Sequence, residues 1–578
     1  MFRVIGVVVL SGLASAAIAQ AAPAAQSTPK TTPQTTPQTT PAPAPAPTKP
    51  SAAATNAIVN AALPDDQAAM KAHVMFLASD AMRGREAGSP EFDIAAQYVA
   101  AQFYAAGLRP AGQDGGYIQK VPLTTYKPAD KGNFVLSKAG VPPQALVFGE
   151  DYTPGANPGR RETAIDAPVV FVGYGIVAPH VKRDDYAGVD VRGKIVAYFG
   201  GAPNSLQSEE RAHFASPATK AVIAADHGAV GTITLDRPGQ ARGRSFATQA
   251  RDWDEARTTW ANPDGTGENA GAPGLGTISA AGAAKLFAGA KAKWEDILKQ
   301  ANNSETRFKP VELPGTLTVA LKTSFEPESS ANVAGIIPGA DPKVGKEIVI
   351  LSAHLDHIGV GKPDATGDTI NNGAEDNAVG IASLIEEAKR FKASGKPPRR
   401  TIMFLAVTAE EKGLVGSDYF AKHPTVAKEA IVADVNLDMP LLTYRFEDMV
   451  VFGADRSTLG PIVSKAVAGV GVTMSPDPDP AQAIFVRSDH YRFVQQGIPS
   501  VFLWPGQAGA GKAAWAKFFA DNYHQPSDEI SLPIDWAQGI RFVDANYAIA
   551  REIADGDDRP RWNKGDFFGL LYKGYGAR

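Results

Sequence analysis

The chain contains no cysteine. Disulfides, thiolate metal sites, cysteine nucleophiles and an N-terminal lipid-modified cysteine are therefore excluded. An excess of charge of one sign is missing too. The 57 basic and 61 acidic side chains leave a formal net charge of −4, with no long basic run, so a nucleic-acid partner is not expected. Histidine is scarce, at nine residues in 578. No H-E-x-x-H occurs, which removes the helix-borne zinc pattern, and no G-x-S-x-G elbow supports a serine acyl-enzyme. Past the N-terminus no stretch is apolar enough to span a bilayer, a task that takes ~20 residues. What remains is ordinary globular material: 44% hydrophobic and 20% charged residues can build sizeable cores, and the length suggests several domains.

Residues 1–19 read as a signal peptide, with Arg3 as the positive start, Val4 to Leu13 as the apolar core and Ala17-Ile18-Ala19 as the cleavage site. The apolar part is too short for a spanning anchor. The expectation is an exported protein, periplasmic or secreted, with no stable membrane insertion after cleavage. Residues 20–60 are a Pro/Thr/Ala-rich linker, extended at ~3.1 Å per residue. Residues 61–140 open the folded body. Apolar spacing from Ala68 to Leu108 predicts helices around a break at Asp80–Pro90, with Gly107 as a stop.

Residues 141–325 change texture and read as an inserted, smaller α/β domain. Its strand candidates are Val169 to Val172, Lys194 to Tyr198 and Val230 to Leu235, and Pro217 opens a helix through Ala225. Residues 326–558 alternate strand and helix, which predicts a mixed, mostly parallel sheet flanked by helices. Val333 to Ile337 is expected to pair with Glu347 to Leu351 across a Pro-Gly loop. The tail, 559–578, with Phe567, Phe568 and Tyr572, carries no functional signal.

Acidic residues and histidines gather where strands end. Ile348 to Leu351 runs into His354-Leu355-Asp356-His357, and Glu375-Asp376-Asn377 precedes a helix with the apolar stripe Ile381, Leu384, Ile385, Ala388 and Phe391. Glu410-Glu411 follows the strand Thr401 to Val407, Asp438 ends Ile431 to Leu437, and His524 lies in a later loop. Ligands collect outside the carboxyl ends of strands in such sheets. One such residue alone is more commonly a cap or a satisfied loop group. Two imidazoles and three carboxylates at successive strand ends suit a pair of zinc ions bridged by one carboxylate.

Five strings resemble, in order, the motifs of the M28 zinc peptidases: Ser352-Ala353-His354-Leu355-Asp356, Gly373-Ala374-Glu375-Asp376-Asn377, Ala409-Glu410-Glu411-Lys412-Gly413-Leu414, Asn436-Leu437-Asp438-Met439 and Tyr523-His524-Gln525-Pro526-Ser527-Asp528. Gln525 departs mildly from the usual threonine. The resemblance implies a zinc exopeptidase fold of the phosphorylase/hydrolase-like kind, two Zn2+ per chain and peptide substrates. It implies His354 and Asp438 on one zinc, Glu411 and His524 on the other, and Asp376 bridging. Glu410 is implied as the general base, Asp356 as support for His354, and a cis peptide at Asp376-Asn377. Phe76 to Gly112, including Arg83-Gly84-Arg85, is similar to the family's entry segment. The insert, with Val172-Gly173-Tyr174-Gly175 and Asp184-Asp185-Tyr186, resembles a protease-associated (PA) domain.

The expected function is aminopeptidase action through a metal-activated water, with Glu410 moving the proton and Glu411 holding metal. His357 is expected in a loop or supporting role, and Ser488-Asp489-His490 matches an element near the family's active site. Gly506 to Lys512 has the spacing of a phosphate-binding loop but is followed by Ala513, which lacks the Mg2+-binding hydroxyl. Three alternatives stay open: a carboxypeptidase, with Arg487 a candidate for the substrate carboxylate; a one-zinc glutaminyl cyclase; and a non-enzymatic receptor-like protein.

Overall fold

A computed structural model describes residues 52–237, 244–269 and 271–578. The expected signal and most of the expected linker lie outside the described residues. The linker's last residues are helical, over Ala52–Val59, and the Lys71 ammonium reaches back to the Ile58 carbonyl at 3.2 Å. Helices Asp65–Leu77 and Pro90–Ala105 follow, and Gly107 ends the second with φ at 76°. Among the described residues no helix is long and apolar enough to cross a membrane.

Two hydrophobic cores organise the chain. The larger surrounds a sheet whose parallel centre is Thr401–Val407, Ile348–His354, Ile431–Leu437 and Ser500–Pro505. Every residue of Ile348–His354 is buried, as a strand covered on both faces requires. Its side chains alternate accordingly. Val349 and Leu351 face Val379–Ala393 and Trp536–Asp555, whereas Ile348 and Ile350 join Phe420 and Phe493 on the other side. Asp448–Phe452 extends the sheet antiparallel to Ser500–Pro505 and carries the short parallel strand Thr473–Ser475 on its other side.

The strand Val333 to Ile337 does not form the expected hairpin with Glu347 to Leu351. It pairs antiparallel with Ile402 to Ala406, which lies between the two. The reason is length: those five residues end a strand, Val311–Ile337, that arrives from the insert already paired. Residues 316–322 of that strand pair with Glu162–Phe171 in the insert, and residues 323–333 pair with Ile118–Pro128 in the body.

The insert has its own core, built from residues such as Phe134, Phe171, Phe199, Ile233 and Phe287. Its parallel strands are Ile195–Phe199, Gly231–Leu235 and Gly274–Ile278. Asn133–Ser137 also pairs in this sheet, so the insert begins before the expected boundary at residue 141. Conversely, Arg257–Trp260 leaves the insert to pair with Leu123 to Tyr126 of the body. The tail also packs: Trp562 and Phe568 are buried with Phe485 and Tyr491.

Candidate metal centre

The carboxyl ends of three central strands supply the site, as their order requires. His354 is the last residue of Ile348–His354, Asp438 follows Ile431–Leu437, and Glu410 and Glu411 follow Thr401–Val407 by a short turn. Asp376 comes from the turn before Val379–Ala393, where the Asp376-Asn377 peptide is cis as expected. Ala409, Met439 and His524, each a candidate site residue or next to one, hold left-handed φ of 53°, 46° and 57°. Such strain persists in non-glycine residues only where the surroundings over-determine it, and it concentrates at functional sites.

Two donor sets converge. His354 Nε2 lies 3.0 Å from Asp438 Oδ1 and 3.2 Å from Asp376 Oδ1. His524 Nε2 lies 3.2 Å from Glu411 Oε2 and 3.3 Å from Asp376 Oδ2. Donors bound to a tetrahedral zinc at its usual bond lengths stand about 3.3 Å apart. In both sets the imidazole-to-carboxylate distances fit that spacing, and Asp376 offers one oxygen to each, as a bridge must. All five expected ligands are therefore brought together.

The electrostatics fit a cation equally well. Asp356, Asp376, Glu410, Glu411, Asp438 and Asp489 share a desolvated space with few counter-charges. Burial pushes Glu410 well above the usual carboxylate range, and the Glu411 and Asp438 charges add to this. Burial likewise lifts Asp489 to about 7 and Asp356 to about 6. For His354 and His524 burial acts the other way, yet their carboxylate neighbours win and raise both, His524 to about 11. The imidazoles thus hold protons where no metal neutralises the acids, and bound metal would displace those protons.

Asp356 needs correction. The hydrogen bond to His354 comes from its backbone, whose carbonyl accepts the His354 Nδ1–H at 3.1 Å, while its carboxylate meets the ring only through charge. The carboxylate instead accepts the backbone N–H groups of Glu410 and Glu411, at 3.1 and 3.3 Å. It is a positioning group for the Glu410-Glu411 turn rather than for the imidazole. Glu410 itself is half-buried, and its carboxylate has no hydrogen-bond partner among the described residues, which leaves it available for proton transfer.

Further residues were not singled out as site residues by the sequence. Asp528 accepts the backbone N–H groups of Glu375 and Asp376, at 2.9 and 3.0 Å, and so fixes the bridging residue. Its place in the Tyr523 to Asp528 string was the available signal. The Ser488 hydroxyl donates to Asp438 Oδ2 at 2.6 Å. Arg85, fully buried, donates to the carbonyls of Leu77, Leu355, Asn372, Gly373 and Asp376 at 2.5–3.3 Å. Its acceptors are backbone atoms, which leave no trace in a sequence. At the loop with phosphate-binding spacing, Asp448 Oδ1 accepts the Ala508 N–H at 3.0 Å. A carboxylate there opposes an anion.

Residues 332–550 match the model of peptidase family M28. This segment belongs to that family. The M28 segment is similar to leupeptin-inactivating enzyme 1 of Streptomyces exfoliatus, 29% identical over 224 residues, which make up 37% of this chain and 46% of the relative. It is also similar to the aminopeptidase YwaD of Bacillus subtilis, 27% identical over 219 residues, or 37% of this chain and 42% of the relative. The chain spans less than half the length of these two relatives. Among solved structures, the aminopeptidase from Aneurinibacillus sp. strain AM-1 covers 87% of this chain and 97% of its own at 19% identity, with a TM-score of 0.45.

Proposed function

We propose that the protein is an exported, zinc-dependent aminopeptidase that trims short peptides from their free amino end. The observation that carries this reading is the pair of donor sets sharing Asp376, with the unpartnered Glu410 carboxylate beside them. His354, Asp438 and one oxygen of Asp376 would hold one ion, and His524, Glu411 and the other oxygen a second. The chemistry supplied by bound zinc is Lewis acidity and a lowering of the pKa of water from ~15.7 towards ~7. Glu410 takes the proton of the attacking water and returns it to the leaving amine. Asp356 keeps Glu410 in reach by holding its backbone, and Asp528 keeps Asp376 aligned between the two sets. The amino-terminal direction is supported by the names of the relatives, an aminopeptidase among them.

The insert is proposed as a wall beside the cleft. Trp260 Nε1 donates to Asp418 Oδ2 at 2.8 Å, bracing the helix Val415–Lys422 that follows the Glu410-Glu411 turn. A rigid neighbour at that point narrows access to extended chain ends.

The test compares N-blocked and C-blocked peptides with the purified chain before and after chelation. Cleavage of C-blocked peptides only, lost on chelation and restored by Zn2+, is expected. Cleavage of N-blocked peptides instead would make it a carboxypeptidase. A single zinc per chain with cyclisation of N-terminal glutamine would make it a glutaminyl cyclase, and two bound ions without any turnover would favour a receptor-like role.

A further inference from the structure

The sequence leaves His357 without a defined task, and the structure gives it one. The residue is buried and clusters with Asp376 and Glu411 closely enough that all three could in principle share an ion. Its Nδ1 lies 2.8 Å from Glu411 Oε1 but 4.0 Å from Asp376 Oδ2. The two distances decide between roles. A shared tetrahedral zinc would place donors about 3.3 Å apart, which His524 satisfies towards both carboxylates and His357 does not. The shorter distance is that of a charge-assisted hydrogen bond.

We propose that His357 is a positioning residue: it donates from Nδ1–H to the outer oxygen of Glu411 and so presents the inner oxygen, Oε2, to the metal beside His524. The inference rests on the metal-binding reading above. Glu411 is then split between two imidazoles, one holding it and one sharing its ion, and its ligation is held monodentate. The ring cannot follow the carboxylate if the latter turns. A Cβ on Gly373 would stand 2.6 Å from the ring atoms, Gly373 itself holds a left-handed φ of 61°, and the His524 ring closes a T-shaped contact at 5.8 Å. Among the described residues Nε2 is buried without a hydrogen-bond partner, and the ring's one side-chain hydrogen bond is to Glu411. An apolar side chain would fill this place without burying a lone polar atom. Packing alone gives no reason for a histidine here.

The test uses the full chain with His357→Leu and His357→Asn. Zinc affinity is read by competition with a chromophoric chelator, and coordination by the visible spectrum of the Co2+-loaded protein. Loss of an outer-shell partner typically costs ~10–100-fold in metal affinity. His357→Leu should lose that much at one of the two ions and nothing at the other. His357→Asn, whose amide N–H can stand where Nδ1–H stood, should recover most of it with an unchanged Co2+ spectrum. If His357→Leu fails to fold, His357→Phe keeps a ring and removes only the donor, and the same loss is expected. Equal affinities in the apolar variant and the parent would overturn the proposal. So would an Asn variant as weak as the apolar one with an altered Co2+ spectrum, which would make His357 a ligand. None of these readouts uses peptide cleavage, so failure of the peptidase reading would leave the result standing.

Discussion

Replacing Arg85 should uncouple the N-terminal segment from both ligand loops at once. Its guanidinium bonds one carbonyl in the helix Asp65–Leu77, one at Leu355 beside His354, and three between Asn372 and Asp376. Burial lowers its pKa to about 10, but Asp376 and Asp528 oppose the shift, so it stays charged at neutral pH. Arg85→Ala takes a donor from five carbonyls, of which that of Gly373 keeps a backbone partner in the Ala378 N–H, and removes a cation from a carboxylate-rich site. Breaking a buried charged network of this sort costs roughly 3–5 kcal/mol, a large part of the ~5–15 kcal/mol that holds a domain folded. Arg85→Lys keeps the charge, but an ammonium has only three donors for the five acceptors, so an intermediate loss is expected. Chemical denaturation of the metal-free chain followed by tryptophan fluorescence measures the effect, and chelator competition reads the metal site. An Ala variant within about 0.5 kcal/mol of the parent, the range of a neutral surface change, would refute the reasoning.

The paired glutamates should separate: Glu410→Gln keeps its metal content and loses ~10²–10⁴-fold in turnover, as removal of a general base does. Glu411→Ala should instead bind less zinc by elemental analysis. Deleting residues 559–578 removes Trp562 and Phe568 from the cluster with Phe485 and Tyr491, and Asp566 from its 3.1 Å pair with Arg456. A loss of at least ~3 kcal/mol is expected from the aromatic burial alone, with faster proteolysis in the segment that carries Ser488. Metal-free protein should lose stability as pH rises. Burial raises Glu375 to about 8 from 4.5, and Glu411 and Asp376 overcome burial to raise His524 to about 11 from 6.5. A folded pKa above the unfolded one gives stabilisation that is complete below the unfolded value and lost as pH climbs through the folded value. The melting temperature of chelated protein should therefore fall between pH 6.5 and 9, and a flat or rising profile would contradict this.

The proposed ligands were legible because their chemistry is carried by side chains and the placement of most of them by strand ends. The clusters that hold His354, Asp376, Glu411, Asp438 and His524 stood out by residue type and position, and the resemblance to the M28 motifs picked the proposed ligands out of them. What held them was not legible, because it works through backbone atoms. The Asp356 carboxylate serves two N–H groups, Arg85 serves five carbonyls and Asp528 serves two N–H groups; any residue could supply those partners. His357 was visible as a histidine, but only its 2.8 Å approach to Glu411 separates support from ligation.

The sheet order failed for a related reason. Proximity in sequence favours pairing of neighbouring strands, so Val333 to Ile337 was matched to the next apolar run. The observed strand Val311–Ile337 is a single element although Pro314 and Pro327 lie within it. Proline is tolerated there because residues 323–332 pair with Ile118–Pro128 on one side and with no described strand on the other. The missing N–H of Pro327 therefore need not interrupt a second ladder. That unbroken strand lies in both sheets and, with Trp260 pinned to Asp418, ties the insert to the body at two separate places. A hinge between them would have to break ladder hydrogen bonds, which supports the proposed fixed wall over a swinging lid.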